Sequence, residues 1–456
     1  MQKKQTDILI LGAGLSGLAA SHFLGQMVPQ KERLILEKTQ RPGGAIRTFK
    51  EAGIQAEWGA HGFLDNGPES LLLIEQLGLA GEVTRAPLKD FVRFICRQGR
   101  LQVIPQSPPK ILASPILPLS AKLRVLGDLW TAPLTEDQSI ADWARRRFGP
   151  ALAPFVDAAV TGTYGGDMER LSIDAAMPRL RQMELASGSV IRALKARAKD
   201  RKGQPRRLPE MISFKAGMER LPQKLAEGQP ILYGQEVTQI TKEGDFWVAR
   251  TADLEVQASQ LLVALPASRA WPLLATLSEP PGPAPVEAQI ANLVLAFDPP
   301  TQVPFGFGYL APREEKRFAL GCLYSSHMFA GRCPAGGVLL ECLVGGRLYP
   351  ERLGLKDSEI IDLALKDLAE LLPLPEPPRF AHLLRPPQGI PQPELGHPAR
   401  LAWRADLMRQ YPGLAVFGFG WDGIGINDMT RGAQAVARYV TSGELDPGPR
   451  LKGVYF

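Results

Sequence analysis

Apolar residues along this chain fall into short unbroken runs separated by stretches of helical spacing. The run at 7–11 reads Asp-Ile-Leu-Ile-Leu, the pattern of a parallel strand buried on both faces. Residues 15–27 then place apolar side chains three and four apart, which predicts a helix. A second strand pattern over 33–36 ends at Glu37, and 68–79 has a helical period. Runs at 91–96 and 101–104 flank Gln98-Gly99 and predict a hairpin; further strand patterns occupy 235–240, 245–249, 260–265 and 414–417. From about 108 to 207 strand patterns fade and helical ones dominate, at 120–130, 140–147, 150–159 and 190–199. Near the carboxyl end Met429, Ala433, Val436, Ala437 and Val440 mark one face of a last helix.

The junction between the first strand and helix carries Gly12-Ala13-Gly14-Leu15-Ser16-Gly17. Gly12 permits a tight turn, Gly14 lets main chain approach a pyrophosphate, and Gly17 lets the helix pack on the strand. The helix amino end offers N–H donors and partial positive charge to phosphate. Glu37 follows Gly17 by twenty residues, where a carboxylate accepts hydrogen bonds from an adenosine ribose. The set predicts a dinucleotide site; a glycine-rich turn of structural use is the bland alternative.

Composition narrows the partners. The chain has 456 residues, 45% hydrophobic and 22% charged, the balance of a globular protein, with formal net charge +6. That mild excess suits anionic small molecules or an acidic membrane surface. Forty-one prolines predict long irregular connections. The cysteines Cys96, Cys322, Cys333 and Cys342 form no CxxC pair and the five histidines no HxxxH array, so no metal is expected and buried inert thiols are. No apolar run reaches the roughly 18 residues of a membrane-spanning helix. A cytoplasmic location follows as the expectation, possible attachment to one membrane face included. Two segments bear on that face: the proline-broken apolar stretch 110–119, followed by Lys122 and Arg124, and the basic run 195–207. Core packing and a solvated linker are their plain readings. Nucleic acid is not expected, because no aromatic interleaving accompanies the charge.

Residues 37–48, Glu-Lys-Thr-Gln-Arg-Pro-Gly-Gly-Ala-Ile-Arg-Thr, resemble the second flavin motif of amine-oxidase-like flavoproteins. FAD is therefore the expected cofactor: Arg41 offsets pyrophosphate charge, and Gly43 and Gly44 let backbone lie against it. Over nearly its whole length the chain resembles the protoporphyrinogen oxidase family, at Thr161-Gly-Thr-Tyr-Gly-Gly-Asp-Met-Glu-Arg-Leu-Ser172, 213–222, Phe305-Gly-Phe-Gly-Tyr-Leu310, 389–397 and Gly423-Ile-Gly-Ile-Asn-Asp428. The resemblance implies an α/β fold with a Rossmann-like FAD-binding domain (1–86, 208–270 and 389–456). A mixed-sheet substrate domain (87–110 and 271–388) is interleaved with it, and a helical membrane-binding domain (111–207) is inserted. It implies stepwise dehydrogenation of a porphyrinogen, protoporphyrinogen IX or coproporphyrinogen III, with oxygen reoxidising the flavin.

Carried onto this chain, the cofactor positions are Gly12, Ala13, Gly14, Leu15, Ser16 and Gly17, then Glu37, Lys38, Arg41, Gly43, Gly44 and Ala45. Gly59, Ala60, His61 and Gly62 pass beside the isoalloxazine, Val237 holds adenine through its backbone, and Ile424, Gly425, Ile426 and Asp428 present a helix amino end to the ring. The substrate-carboxylate arginine falls on Arg93, and the macrocycle wall on Phe307, Gly308, Leu310 and Leu343. A broad apolar ring with propionate anions needs such an oily slot and one cation. No acid or base residue is assigned. Met429 and Pro393 depart from the family's pattern. Two alternatives stay open: an amine oxidase, with Trp421 as one wall of an aromatic cage, and a non-catalytic carrier on the same fold, like the Rab dissociation inhibitors.

Overall fold

Strand Gln2–Leu11 is exposed at its start and buried from Ile8 onward, where it runs into the centre of a seven-stranded sheet. This computed structural model describes residues 1–86, 91–105, 110, 113–200, 209–375 and 377–443. The sheet order is Ile231–Tyr233, Arg33–Glu37, Gln2–Leu11, Leu254–Val263, Phe246–Arg250, Gln239–Glu243, with Leu414–Val416 also on Leu254–Val263. The first three pairings and that of Leu414–Val416 are parallel, which accounts for the unbroken apolar runs. Helices Leu15–Met27 and Ile426–Ser442 pack on each other and share one core with the sheet.

Two predicted elements are displaced, each for a local reason. The strand expected at 235–240 is Gln239–Glu243, because the Gln235 and Gly234 amides donate to the carbonyls of Glu37 and Thr39 instead of to a ladder. The helix expected at 150–159 is a 3-10 turn, Pro150–Leu152, followed by helix Ala153–Tyr164; Pro154 stands in its first turn, where a missing N–H costs nothing.

A second seven-stranded sheet has the order Phe380–Leu384, Ile290–Phe297, Val338–Gly345, Gly321–Leu323, Gly308–Leu310, Arg93–Arg97, Arg100–Val103. Its last pair is the predicted hairpin. Gln98 and Gly99 both take positive φ, 53° and 67°, and their N–H groups donate to the Glu315 carboxylate, which fixes the two-residue turn. One face of this sheet carries Leu293, Tyr309, Cys322, Leu340 and Cys342 against Ile360, Ala364 and Leu368 of helix Asp357–Ala369. Side chains alternate across a strand, so Arg93, Gly308, Leu310, Leu323, Glu341, Leu343 and Asn292 share the opposite face, which turns toward the two-stranded sheet Thr48–Glu51 and Ile54–Glu57. There Leu339, Val294 and Ala296 pack on Ile54 and Ala56.

Residues 113–200 are mainly helical, centred on Ile140, Trp143, Val160 and Ile173. Arg313 ties this unit to the second sheet, donating to Asp157 at 2.8 Å and Asp167 at 2.7 Å. In the segment 110–119, residues 111 and 112 lie outside the described residues, as do Arg201, Lys202, Arg206 and Arg207 of the basic run. Lys195, Arg197 and Lys199 stand on helix Val190–Asp200.

Candidate active site

The start of helix Leu15–Met27 opens on a cavity of about 700 Å³, which Met429 of helix Ile426–Ser442 also borders. Gly12, Gly14, Leu15, Ser16, Glu37, Lys38, Arg41, Gly43, Gly44, Ala45 and Val237 line it. So do residues that the sequence reading did not single out, Trp58, Leu265, Gln388 and Phe419 among them.

The glycines divide by what a side chain would meet. A methyl group at Gly17 would sit 2.0 Å from the Gly12 carbonyl, so this glycine is required for helix to lie on turn. At Gly14 it would meet no protein atom within 4 Å, and the backbone there (φ −70°, ψ 176°) suits any residue. The bare Cα of Gly14 thus borders open cavity, as a cofactor backed on main chain requires. Gly43 donates its N–H to the Ala13 carbonyl, and a methyl at Gly44 would approach the Gly14 Cα to 3.3 Å, so the two glycine segments form one continuous wall.

Glu37 is buried, with one carboxylate oxygen accepting the Ala13 N–H at 2.8 Å and the other the Thr39 N–H at 2.9 Å. These bonds fix its orientation and leave further lone pairs for ribose hydroxyls. Arg41 donates to the carbonyls of Pro42, Ile46 and Gly44, which holds the double-glycine loop closed beside the cavity. Neither N–H nor C=O of Val237 has a protein partner among the described residues. The chain therefore has a buried ribose acceptor, a bare-backbone wall and a free peptide unit in one elongated cavity, a donor set that fits FAD.

Beyond Trp58, Gly59 and Ala60 are exposed although Glu57 and Phe63 on either side are buried. His61 lies next, its Nε2 2.9 Å from Glu341, and Gly62 packs on the Ile212 carbonyl. Glu341 is buried and also accepts from Ser325 at 2.6 Å and Asn292 at 2.6 Å. Burial opposes its charge, but His61 and these donors outweigh burial and lower its pKa. Glu57 ends differently: burial raises its pKa even though Arg332 lies 2.6 Å away.

The inner face of the second sheet gathers the predicted substrate residues. Strand register places Arg93, Gly308, Leu323 and Glu341 in one row and Leu310, Gly321, Leu343 and Asn292 in the next. Arg93, Leu310, Leu323 and Leu343 are only half-buried, while Tyr309, Cys322, Cys342 and Val344 on the opposite face are buried. The Arg93 guanidinium lies 5.9 Å from the Phe307 ring, and no carboxylate partners it among the described residues. Burial alone lowers its pKa. Leu310 presses against Gly162 of helix Ala153–Tyr164.

Ile424 and Gly425 precede helix Ile426–Ser442, and Asp428 in its first turn accepts the Gly425 N–H at 3.2 Å and pairs with Arg431 at 2.7 Å. Burial nonetheless raises the Asp428 pKa. Ala13, Gly17, Gly59, Ala60, His61, Gly62, Ile424, Gly425, Ile426 and Asp428 do not line the cavity itself. Trp421 is buried between Trp271 and Arg404, so it walls no cage. No group of three metal-ligating side chains occurs among the described residues.

Glu341, the buried acid on the inner face of the second sheet, was missed in the sequence. Its signal is a single charge in the otherwise apolar strand Val338–Gly345, a position that burial tolerates only with partners.

The family described as flavin containing amine oxidoreductase matches residues 15–393. The chain is 30% identical to a protoporphyrinogen oxidase of Bos taurus over 94% of its length and 98% of that protein. It is 24% identical to a coproporphyrinogen III oxidase of Bacillus subtilis (strain 168), over 97% and 99%. The crystal structure of a provisionally named protoporphyrinogen oxidase from Exiguobacterium sp. 255-15 superposes with a TM-score of 0.78 at 22% identity, covering 97% of this chain and all of that one.

Proposed function

The chain belongs to the flavin containing amine oxidoreductase family, within its protoporphyrinogen oxidase group, and from that premise we propose that it dehydrogenates a porphyrinogen to the porphyrin in haem biosynthesis, with oxygen as final acceptor. It is an oxidoreductase, and FAD is its cofactor. The observation that carries the substrate reading is the set of half-buried Leu310, Leu323 and Leu343 on one sheet face with the guanidinium of Arg93, which no carboxylate pairs among the described residues. Bound FAD supplies the two-electron acceptor for hydride. Glu37 holds the ribose, the main chain at Gly14, Gly43 and Gly44 backs the pyrophosphate, and Val237 offers its peptide to the adenine. Phe307, Leu310 and Leu343 seat the macrocycle and keep water from its bridging carbons, while Arg93 binds one propionate and fixes the ring's rotation in the slot.

Arg93→Ala removes a charge-assisted bond worth about 1.5–3 kcal/mol, so KM for a porphyrinogen rises about ten- to a hundredfold with kcat little changed. Steady-state kinetics at matched FAD content reads this; an unchanged KM rejects the assignment.

Attachment to a membrane face belongs to the same proposal. Leu119, Leu123, Leu126 and Trp130 stand 72%, 61%, 41% and 77% exposed at spacings of four, three and four residues, a continuous apolar stripe. No helix among the described residues is long and apolar enough to cross a membrane, so the stripe would lie in the interface. Replacing Leu123 with Glu and Trp130 with Ser is expected to weaken co-sedimentation with anionic vesicles by about tenfold or more. Flavin content and turnover in detergent stay at the parent level.

A further inference from the structure

His61 is the one imidazole that joins the exposed Gly59 and Ala60 to the inner face of the second sheet. Its Nε2 lies 2.9 Å from Glu341 Oε2, and the carboxylate is held from behind by Ser325 Oγ and Asn292 Nδ2. A carboxylate at Nε2 selects the tautomer with hydrogen on Nε2, which leaves the lone pair on Nδ1. No protein group bonds Nδ1 among the described residues, and 16% of the side chain remains exposed. Carboxylate, imidazole and free nitrogen in that order is the arrangement by which proteins make a histidine accept a proton.

The sheet register fixes where this pair stands relative to Arg93. Glu341, Leu323, Gly308 and Arg93 are direct neighbours across four strands. Three strand spacings of about 4.8 Å separate Glu341 from Arg93 by about 14 Å across the inner face of the sheet. That span matches a macrocycle whose propionate arm reaches Arg93 while its far side lies over His61.

Resting on the functional reading above, we propose that His61 is a catalytic residue, the acceptor of the proton released in each dehydrogenation, and that Glu341 positions it. In one cycle the C–H bond at a bridging carbon breaks and hydride leaves with both electrons for the flavin. A pyrrole N–H bond also breaks, and its proton goes to Nδ1 of His61. The N–H electron pair stays on the macrocycle and completes the new double bond. The imidazolium then yields its proton to water, ready for the next cycle; three cycles remove three bridge C–H and three N–H hydrogens, and a proton shift from the last CH2 bridge to a ring nitrogen leaves the porphyrin with four CH bridges and two N–H groups.

The charges around the ring are consistent with this use. Burial lowers the His61 pKa, but Glu341 and, more weakly, Glu57 outweigh burial and Arg332, so the pKa lies above its ordinary value of 6.5. The neutral, proton-accepting ring is therefore lost as pH falls through that raised value, and the rate should fall with it.

The test is anaerobic mixing of FAD-loaded protein with protoporphyrinogen IX or coproporphyrinogen III across pH, following flavin bleaching. The wild type should show an acid limb with its midpoint above 6.5. His61→Gln should keep its FAD, bleach about a hundredfold more slowly and lose that limb; Glu341→Gln should move the limb to lower pH. A second readout needs no turnover: NMR titration of the five histidines, with His61→Gln assigning the resonance, should show the His61 midpoint falling in Glu341→Gln. Bleaching of His61→Gln within twofold of wild type with the acid limb intact, or a His61 midpoint unmoved by Glu341→Gln, overturns this inference alone. Wild-type flavin that neither porphyrinogen bleaches overturns the functional reading, and this inference with it.

Discussion

Gly14→Val is expected to abolish FAD retention while leaving the apoprotein folded, and Gly17→Ala to lose both the cofactor and the fold around it. The contrast comes from what each Cβ would meet. Gly14 has ordinary extended backbone and empty space within 4 Å, so valine costs the apoprotein no more than a poorer helix cap, about 1 kcal/mol or less. Its branches would occupy the volume where main chain and pyrophosphate must touch. Gly17 meets the Gly12 carbonyl at 2.0 Å, a clash relieved only by lifting helix Leu15–Met27 from strand Gln2–Leu11. Overpacking of that kind costs about 1–3 kcal/mol or more. Flavin absorbance of the purified variants and thermal unfolding of their apo forms read the two effects separately. A Gly14→Val protein that stays fully yellow would remove the cofactor from this cavity.

Arg147→Ala should destabilise the helical unit by about 3–5 kcal/mol. Arg147, Asp128 and Glu184 are all 0% exposed, and the guanidinium pairs with both carboxylates. Glu184 also accepts from Trp143 and Arg181. Burial raises its pKa, but the hydrogen bonds from Arg147, Trp143, Arg181 and Arg146 outweigh this and hold it at about 2. A carboxylate depressed in this way stabilises the fold above its ordinary 4.5 and loses that contribution as pH falls toward about 2. In the alanine variant two buried charges lack their shared partner, and Glu184 should then protonate at higher pH, so acid unfolding begins earlier. Arg379→Ala is the control: its pair with Asp298 is 49% and 59% exposed and should change stability by about 1 kcal/mol or less. Urea unfolding of both variants at neutral pH tests the ranking.

What the sequence made legible follows from how locally each feature is encoded. The strand, glycine turn, helix and Glu37 lie within thirty-six residues, and each step has its own residue signature, so helix Leu15–Met27 appears with the predicted bounds. The inner face of the second sheet is different. Arg93 meets Gly308 through a parallel pairing across more than two hundred residues, and no periodicity in either segment specifies that partner. Only the family resemblance brought the two together. Glu341 and His61 are 280 positions apart, so an acid in an apolar strand announced a buried partner without naming it. The displaced strand at Gln239–Glu243 has the same cause: the amides before it serve the loop after Glu37, a tertiary demand invisible in local pattern.

The most direct test is anaerobic titration of the yellow protein with protoporphyrinogen IX, coproporphyrinogen III and, in parallel, a polyamine. The account predicts that a porphyrinogen bleaches the flavin, that admitting air restores the colour while porphyrin fluorescence appears, and that the polyamine does neither. Bleaching by the polyamine with both porphyrinogens inert would contradict it.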